Sequence, residues 1–219
     1  MPRTSGPPGR DCPLCPRLVA FRKDWRAREP EWFNAPVDSF GPLDARLLIV
    51  GLAPGLRGAN RTGRPFTGDY AGDLLYATLL EFGFARGKFE ARPDDSLELI
   101  DCRITNAVRC VPPENKPTPA EIKTCRKFMT AAIAEMPRVR VILALGRVAH
   151  ETLVVAHDVR RSLHAFGHGR AHSIGALTLF DSYHCSRYNT NTGVLTPQMF
   201  RDVFAKIRAE IDAPANAVP

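Results

Sequence analysis

The sequence has no long hydrophobic run and few cysteines, six in 219 residues. No stretch approaches the roughly 18 apolar residues that a transmembrane helix needs. The opening residues, MPRTSGPPGR, lack the apolar core of a secretory signal peptide. The cysteines are too few for a disulfide-stapled scaffold, so a reducing compartment is the expectation. We therefore expect a cytoplasmic protein that has no membrane partner.

Length and composition favour one globular domain over two. A doubly wound α/β domain commonly fills about 200 residues. A hydrophobic fraction of 44% with 24% charged residues is ordinary for a globular chain. The chain opens with a stretch rich in proline and glycine, which is typical of a disordered end. We predict a single domain over residues 1–219, with disorder over residues 1–11.

The charge is unevenly distributed along the chain. Thirty lysines and arginines against 23 acidic residues give a formal net charge of +7. This excess suits a polyanion such as DNA, because arginine forks match phosphate oxygens. A genome that favours arginine codons explains it equally well. Residues 1–30 carry seven basic and three acidic side chains, and residues 66–101 carry eight acidic and three basic ones. Basic and acidic faces of this kind are typical of a nucleic-acid-binding protein.

Four apolar runs rich in β-forming residues alternate with helical patterns, which predicts a parallel sheet with helices on both faces. The predicted strands are 46–50, 99–108, 139–145 and 176–183. The predicted helices are 69–84, 119–136, where Thr118 and Glu121 form a capping-box pattern, and a last helix from Pro197. Residues 156–175 show no period, and a loop or a short hairpin is expected there. The predicted fold class is therefore α/β.

Each predicted strand ends in residues suited to a binding site. The first runs into a glycine-rich loop that begins at Gly51, and the second ends at Asn106. The third ends at Gly146–Arg147 and the fourth at His184. Ligands of open parallel sheets bind at the carboxyl ends of the strands. We therefore expect these four endings to meet at one edge of the sheet.

Four cysteines are spaced like the ligands of one metal centre: Cys12, Cys15, Cys110 and Cys125. Zinc held by four cysteines prefers short spacings in both halves, whereas iron–sulfur clusters tolerate wider ones. Four unrelated buried thiols are the alternative. The cluster-binding segments would be 12–30 and 110–125. We expect such a centre to serve the structure rather than electron transfer.

The loop after the first predicted strand is rich in glycine and arginine. Its first five residues are Gly51, Leu52, Ala53, Pro54 and Gly55. The glycines allow a sharp turn and let backbone amides approach a ligand, although this is not a Walker loop. Downstream, Arg57, Arg61 and Arg64 suit phosphate contacts. A solvated loop without a ligand would look the same.

Phe66 and Asp69 stand out in the same loop. The ring of Phe66 could stack on a base, or it could anchor the loop in the core. Asp69 could cap the following helix or point its carboxylate into a pocket, and the two roles are compatible.

His184 differs from the other histidines because it ends an apolar strand. The other five lie between residues 150 and 172 and look like scattered surface residues. Ser186, Arg187 and Asn189 follow His184 and could donate hydrogen bonds to a phosphate and a base. Cys185 is expected to touch this site. Cys102, inside the second predicted strand, is expected to be a plain buried thiol.

Five motifs together make the sequence resemble the uracil-DNA glycosylase superfamily. They are GLAPG, NRTGRPFTGD, TNAVRC, ALGRVA and YHCSRYNTNTGVLT. Within the superfamily the chain is similar to family 5, the type B enzymes with an iron–sulfur cluster, from about residue 12 to residue 205. The resemblance implies a three-layer αβα fold around a four-stranded parallel sheet. It also implies a [4Fe–4S] cluster on the four cysteines, and excision of uracil and other deaminated bases from DNA.

The resemblance also implies roles for particular residues. A base must be flipped out of the duplex before its glycosidic bond can be attacked. Phe66 would then stack on the base, Asn106 would bind its polar edge, and His184 would stabilise the negative charge on the departing base. The flanking phosphates would contact the backbone amides of residues 51–55 and of Ser186. The wedge that relatives insert into the duplex would correspond to Arg187, Tyr188 and Asn189.

One position departs from the pattern of the superfamily. Most relatives carry a polar residue directly after the first glycine of the first motif, where it positions the attacking water. This chain has Leu52 there, and a leucine can neither orient nor deprotonate water. Asp69 is therefore the candidate for that role, in an arrangement that family 5 members share.

No lysine lies in these motifs, so a Schiff-base mechanism with strand nicking is disfavoured. We expect a monomeric, monofunctional glycosylase that leaves an abasic site and whose permissive pocket also accepts hypoxanthine. The main alternative is a non-catalytic iron–sulfur DNA-binding protein. A flavodoxin-like electron carrier, and a superfamily branch that bonds covalently to the excised site through His184, are the others.

Overall fold

The computed structural model describes residues 6–214. The predicted disorder over residues 1–11 falls in part on residues 1–5, which lie outside the described residues. Within the described part, the chain is already bound to the first helix at Arg10 and Asp11. Arg26 donates to the carbonyl of Arg10 at 3.0 Å and to the carboxylate of Asp11 at 2.5 Å.

Seven α-helices and seven β-strands form between residues 6 and 214. The helices are α1 (Pro16–Arg28), α2 (Ala59–Thr62), α3 (Tyr70–Glu81), α4 (Pro119–Ala134), α5 (Arg147–Ala156), α6 (Arg187–Asn191) and α7 (Pro197–Asp212). The strands are β1 (Leu47–Gly51), β2 (Ala85–Arg86), β3 (Glu98–Leu99), β4 (Cys102–Asn106), β5 (Val141–Leu145), β6 (Ala171–Ile174) and β7 (Leu177–Ser182). Two 3₁₀ helices cover Pro113–Asn115 and Arg161–Leu163.

The predicted start of α4 is confirmed in detail. The Thr118 hydroxyl accepts from the backbone N–H of Glu121 at 3.3 Å, and the Glu121 carboxylate accepts from the backbone N–H of Thr118 at 2.8 Å. Both ends of the capping box are therefore made. Helix α7 begins in a related way, since Thr196 accepts from the N–H of Met199 at 3.2 Å.

The central sheet has five strands in the order β4-β1-β5-β7-β6. The first four are parallel, which confirms the predicted α/β class, but the expected count of four strands is short by one. Strand β6 adds to the edge in antiparallel orientation, pairing Ile174 with Leu177 across a turn at Gly175. Gly175 has a φ of 71°, a conformation that glycine adopts at little cost. Of the two possibilities for residues 156–175, the short hairpin is the one that forms.

The predicted strand over residues 99–108 is divided in two. Leu99 pairs with Ala85 in a separate two-stranded antiparallel sheet, whereas Cys102 pairs with Leu47 in the central sheet. Asp101 lies between them with a φ of 52°, which breaks the extended conformation. Its carboxylate accepts from the backbone N–H of Arg46 at 2.7 Å. This hydrogen bond stabilises the turn.

The central sheet is covered on both faces, which makes three layers. Side chains of a strand alternate between faces, so Leu47 and Ile49 pack with α3 and α7, whereas Leu48 and Val50 pack with α4 and α5. All five residues of β1 are buried. Within the described residues, no helix combines the length and the apolar character needed to cross a membrane.

Candidate active site

A cleft of about 640 Å³ opens at the carboxyl ends of the parallel strands. Three of the four predicted strand endings reach it, through the glycine-rich loop, Asn106 and His184. The ending of β5 at Gly146 does not line the cleft. A Cβ on Gly146 would be 3.6 Å from the Cβ of His184, an ordinary contact distance, so what favours glycine here is its φ of 92°.

Asn106 is held at the floor of the cleft by the register of the sheet. It pairs with Gly51 as the last residue of β4 against the last residue of β1. It is only 3% exposed. A Cβ on Gly51 would lie 2.5 Å from Asn106 Oδ1 and 2.7 Å from Phe66 Cζ. Gly51 does not line the cleft itself, but the absence of its side chain allows Asn106 and Phe66 to meet there.

Phe66 both lines the cleft and belongs to the hydrophobic core. It has a φ of 54°, which is rare for a residue with a bulky side chain. The close approach of Gly72 supports this conformation, because a Cβ on Gly72 would collide with the Phe66 carbonyl. The Tyr76 hydroxyl donates to the carbonyl of Pro65 at 2.6 Å. The predicted role of Phe66 as a core anchor is therefore confirmed, and its position in the cleft lining leaves stacking on a base as a prediction.

Arg64 is not a surface residue, which corrects its assignment to a phosphate-contacting loop. Its guanidinium donates to both carboxylate oxygens of Asp95, at 2.8 and 2.7 Å, and its Nε donates to Thr67 Oγ1 at 2.8 Å. It also lies over the rings of Phe40 and Tyr76, 5.2 and 5.6 Å from their centroids. Asp95 is 31 residues away in the sequence, so no local sequence pattern indicates it as the partner of Arg64. Through Thr67 and Asp95, Arg64 thus holds the loop that carries Phe66.

Asp69 precedes α3 and lines the cleft. Its side chain makes no capping hydrogen bond, and Oδ1 is buried without a hydrogen-bond partner in the described structure. Burial raises the pKa of this carboxyl, and nearby backbone amides offset the rise only in part. Gly55 and Gly58 make room for it. A Cβ on Gly55 would lie 2.8 Å from Oδ2, and one on Gly58 would collide with it.

His184 faces Phe66 in the cleft, with ring centroids 5.9 Å apart and planes inclined by 29°. Burial lowers the pKa of His184 to about 4. The imidazole is therefore neutral near pH 7. A neutral ring carries one N–H donor and one acceptor. It can hydrogen-bond a carbonyl oxygen without the cost of burying a cation.

The segment after His184 forms the rim of the cleft. Ser186 and Arg187 line it, and Ser186 caps α6 by accepting from the Asn189 N–H at 3.4 Å. Asn189 does not line the cleft. Its side-chain amide donates to the His184 carbonyl at 2.8 Å instead, so its observed contact fixes the histidine loop. Tyr188 is 74% exposed beside it.

Most predicted cleft residues do line the cleft, and the sequence missed a few others. Leu52, Ala53, Pro54 and Gly55 form its first wall. The additional lining residues include Tyr70 and Asn115. Tyr70 carries the Arg187 guanidinium 5.4 Å above its ring. Asn115 belongs to a 3₁₀ helix and has a φ of 56°, and no sequence pattern connected it with the cleft.

A second pocket is lined by the four predicted ligand thiols, and we call it the four-cysteine pocket. Its cysteines are Cys12, Cys15, Cys110 and Cys125. They come from the turn before α1, the loop after β4 and the middle of α4. Burial raises the pKa of Cys110 to about 12 and that of Cys125 to about 11. Leu18 and Val108 pack around the thiols.

The thiol spacing tests which metal group fits the four-cysteine pocket. A tetrahedral zinc with Zn–S bonds of about 2.3 Å brings its sulfurs within about 4 Å of one another. One group of three possible metal ligands among the described residues has its ligand atoms within 4.8 Å of one another. It consists of His150, His172 and Asp181. No three of the sulfurs come that close. The four thiols therefore do not have the spacing of a tetrahedral zinc site, and four thiolates are the donor set that iron–sulfur clusters take.

The two remaining cysteines are both buried. Cys102 lies in β4 without exposure, as predicted, and burial raises its pKa. Cys185 follows His184, and its thiol donates to the Ala71 carbonyl at 3.4 Å. It does not line the cleft. Its contact ties the histidine loop to the start of α3.

The expectation of scattered surface histidines is wrong for His150 and His172. Asp181, which is fully buried, accepts from His150 Nδ1 at 2.7 Å and from His172 Nε2 at 3.0 Å. His150 Nε2 faces the carbonyl of His164 at 2.7 Å. These contacts join α5 to the β6–β7 hairpin. The sequence around these histidines does not indicate the contacts, because Asp181 lies within an apolar strand.

Comparison with known proteins agrees with this geometry. The family model of the uracil DNA glycosylase superfamily matches residues 38–208. This span contains the whole central sheet and every residue of the cleft described above. It begins after the Cys12–Cys15 pair, which therefore lies outside the matched span.

Individual relatives match over more of the chain. A type-5 uracil-DNA glycosylase of Thermus thermophilus is 47% identical over 90% of this chain and 92% of its own length. The type-5 uracil-DNA glycosylase of Mycobacterium bovis is 41% identical over 90% of this chain and 77% of its own length. That of Pyrobaculum aerophilum is 35% identical over 91% and 89%. The chain belongs to the uracil DNA glycosylase superfamily and, within it, to the type-5 uracil-DNA glycosylases.

Proposed function

We propose that this protein hydrolyses the N-glycosidic bond that joins uracil to deoxyribose in DNA and leaves an abasic site. The observation that carries the proposal is the convergence of Asp69, Asn106, Phe66 and His184 on one cleft. The relatives that match most of the chain are named uracil-DNA glycosylases.

Base recognition requires a flat apolar surface and a polar partner for the base edge. A base inside a duplex is inaccessible, so the nucleotide is extruded into the cleft. The ring of Phe66 supplies the stacking surface. The side-chain amide of Asn106 can both donate and accept, which suits the alternating N–H and carbonyl edge of uracil.

Cleavage of the glycosidic bond separates charge, and a different residue stabilises each of the two charges. Negative charge develops on the departing base, and the neutral imidazole of His184 donates a hydrogen bond to the base carbonyl. Such a donor, aimed in advance at a developing anion, is typically worth about 10²–10³ in rate. Positive charge develops on the sugar, and the Asp69 carboxylate stabilises it.

Asp69 also prepares the attacking water. Its unpartnered Oδ1 can accept a water proton, and burial keeps its pKa closer to neutrality than that of an exposed aspartate. Leu52, in the position where most relatives carry a polar residue, contributes only an apolar wall. Water activation in this chain therefore rests on Asp69.

The rim of the cleft binds the DNA backbone. Ser186 and the backbone N–H groups of Leu52, Ala53 and Gly55 bind the phosphates next to the extruded nucleotide, and Arg57 and Arg187 supply positive charge at the rim. Among the described residues that line the cleft there is no lysine. A monofunctional hydrolase follows, because a Schiff base requires an amine.

The substrate range extends beyond uracil in this proposal. Leu52 leaves the first wall of the cleft apolar, and a cleft of about 640 Å³ has room for a purine. Hypoxanthine, the deamination product of adenine, is the purine we expect to be excised. Activity restricted to uracil in matched duplexes would disprove this extension.

A [4Fe–4S] cluster on the four cysteines ties the start of the chain to the catalytic domain. The group supplies the bonds that hold residues 12–15 against residues 110 and 125. An ion pair reinforces the same junction, since Arg17 on α1 donates to both carboxylate oxygens of Glu121 on α4 at 2.8 and 2.7 Å. We infer a structural role for the cluster, in a monomer that acts on DNA in the cytoplasm of a prokaryote.

An excision assay on anaerobically purified protein tests the proposal. Labelled duplexes carry a single uracil or hypoxanthine, and products are separated with and without alkali. Cleavage that appears only after alkali is expected. Duplexes with an undamaged base at the same position are the control, and Asp69→Asn identifies the activity with this cleft.

The opposite outcome is equally informative. If the protein binds DNA with its iron intact but excises no base, the proposal fails, and a non-catalytic iron–sulfur DNA-binding protein is the better account. In that case His184→Ala would change affinity alone.

A further inference from the structure

Two arginines are buried beside the four-cysteine pocket. Arg22 on α1 and Arg109 after β4 are each 2% exposed. The guanidinium of Arg22 donates to Cys110 Sγ at 3.5 Å and to the carbonyl of Cys12 at 3.1 Å. The backbone N–H of Arg109 donates to Cys125 Sγ at 3.3 Å. Arg22 therefore contacts the ligand set through its guanidinium and Arg109 through its backbone N–H, and both residues line the pocket.

Neither guanidinium is neutralised by its hydrogen-bond acceptors. Arg109 Nη1 donates to the Val37 carbonyl at 3.4 Å and to the Ser39 hydroxyl at 3.0 Å. In the described structure, the acceptors of both arginines are carbonyl or hydroxyl oxygens and one thiol sulfur. Both Nε atoms are buried without any acceptor. An arginine cannot shed its charge, so two cations are buried here without a bound anion.

The carboxylates near Arg109 do not change this conclusion. Asp38 and Glu135 line a neighbouring surface cavity together with Arg109. Both are exposed residues. Neither accepts a hydrogen bond from Arg109 in the part of the chain that the structure describes. Both arginines also line the four-cysteine pocket, so a negatively charged group held there would compensate their charge.

We propose that Arg22 and Arg109 are the counter-charges of the metal group in this pocket and set its reduction potential. The inference rests on the proposed [4Fe–4S] cluster. With four thiolates, a [4Fe–4S] group in its oxidised resting state has a net charge of about −2. Two buried cations match that charge. Addition of an electron makes the group more negative, so the two arginines stabilise the reduced state and raise the potential.

Matched variants separate charge from packing. Arg109→Lys and Arg109→Met both lose the guanidinium fork and have unbranched side chains, but only lysine keeps the positive charge. Arg22→Lys and Arg22→Met make the same comparison on α1. Arg28→Gln, on the exposed side of the same helix, is the control for an arginine remote from the pocket.

The measurements are made on anaerobically purified, iron-loaded protein. The midpoint potential is measured by voltammetry, and the rate of iron loss to a chelator is followed by visible absorbance. In the Met variants we expect the oxidised state to be favoured by about tenfold, which is about 59 mV for one electron. We also expect iron loss to be about 10–100-fold faster. The Lys variants and Arg28→Gln should stay near the wild type.

Equal potentials and equal iron loss in the Lys and Met variants would overturn the inference, because packing alone would then explain both arginines. A wild type that holds no iron would overturn it together with the proposed cofactor. Uracil excision is assayed separately on the wild type. Failure of the proposed enzymatic activity is therefore distinguishable from failure of the charge-balance inference.

Discussion

Arg64, two residues before Phe66, forms a bidentate ion pair with Asp95, with side-chain exposures of 6% and 0%. Because breaking a buried pair leaves one charge unpaired, we expect Arg64→Met to lower the free energy of unfolding by about 3 kcal/mol. Excision should also slow, since the Phe66 loop loses its support. Denaturant unfolding and kcat/KM measure the two effects.

The exposed pair of Arg86 and Glu98 is the control for this prediction. Both side chains are more than half exposed, so Arg86→Met should change the unfolding free energy by less than about 1 kcal/mol.

The Arg64 hydrogen bonds lower the pKa of Asp95 to about 2. Stability from this carboxylate is therefore complete above its unfolded pKa and is lost as the pH falls towards 2. An Arg64→Met protein as stable as the wild type would contradict the structure.

Asp69 should give the enzyme an acid limb in its pH–rate profile. Burial raises the pKa of its carboxyl, so kcat/KM is expected to fall as the pH drops through that raised pKa, at higher pH than for an exposed aspartate. Asp69→Asn should lose most activity, keep DNA binding, and lose the limb. Single-turnover rates across the pH range check this. An Asp69→Asn rate near that of the wild type would show that another group activates the water.

His184 should act as a neutral donor throughout the working pH range. Its pKa of about 4 follows from burial, so no change in the His184 protonation state is expected between about pH 6 and pH 9. His184→Ala should reduce kcat by about 10²–10³ and leave substrate binding largely intact. His184→Gln, which keeps an N–H donor, should recover part of that loss. Equal rates for the two variants would argue against a hydrogen-bonding role.

The buried contact between His150 and Asp181 should make stability depend on pH. Burial lowers the pKa of His150, but the hydrogen bond and charge of Asp181 outweigh it, and the net shift is upward. A raised folded pKa means that the stabilisation is complete below the unfolded value of about 6.5 and is lost as the pH rises through the folded value. Unfolding free energies of the wild type should fall over that range.

Asp181→Asn is the matched variant for the histidine prediction. It retains a hydrogen-bonding side chain of the same shape but removes the negative charge that favours the imidazolium. The decrease in stability above neutral pH should be much smaller in this variant. An unchanged pH dependence would show that another group titrates.

The sequence predicted what local patterns determine. The capping box at Thr118 and Glu121 needs only neighbouring residues, and the strand endings follow from the topology of a parallel sheet. Contacts between distant segments were not predictable. Arg64 looked like a surface arginine because nothing in its own segment indicates Asp95. His150 looked exposed because its partner Asp181 lies in another strand. A positive φ at Asp101 divided a run that periodicity alone treats as one strand.

The glycines around the cleft restrict how this pocket can evolve. A single methyl group at position 51 would displace Asn106, and one at position 58 would displace Asp69. A substitution at either glycine therefore disturbs the catalytic residues before it can change which substrate is accepted. Leu52 lies between them on the same loop and lines the cleft. Mutant libraries designed to change the substrate range should keep both glycines and vary position 52. A substitution there changes the cleft wall and leaves the positions of Asn106 and Asp69 unchanged.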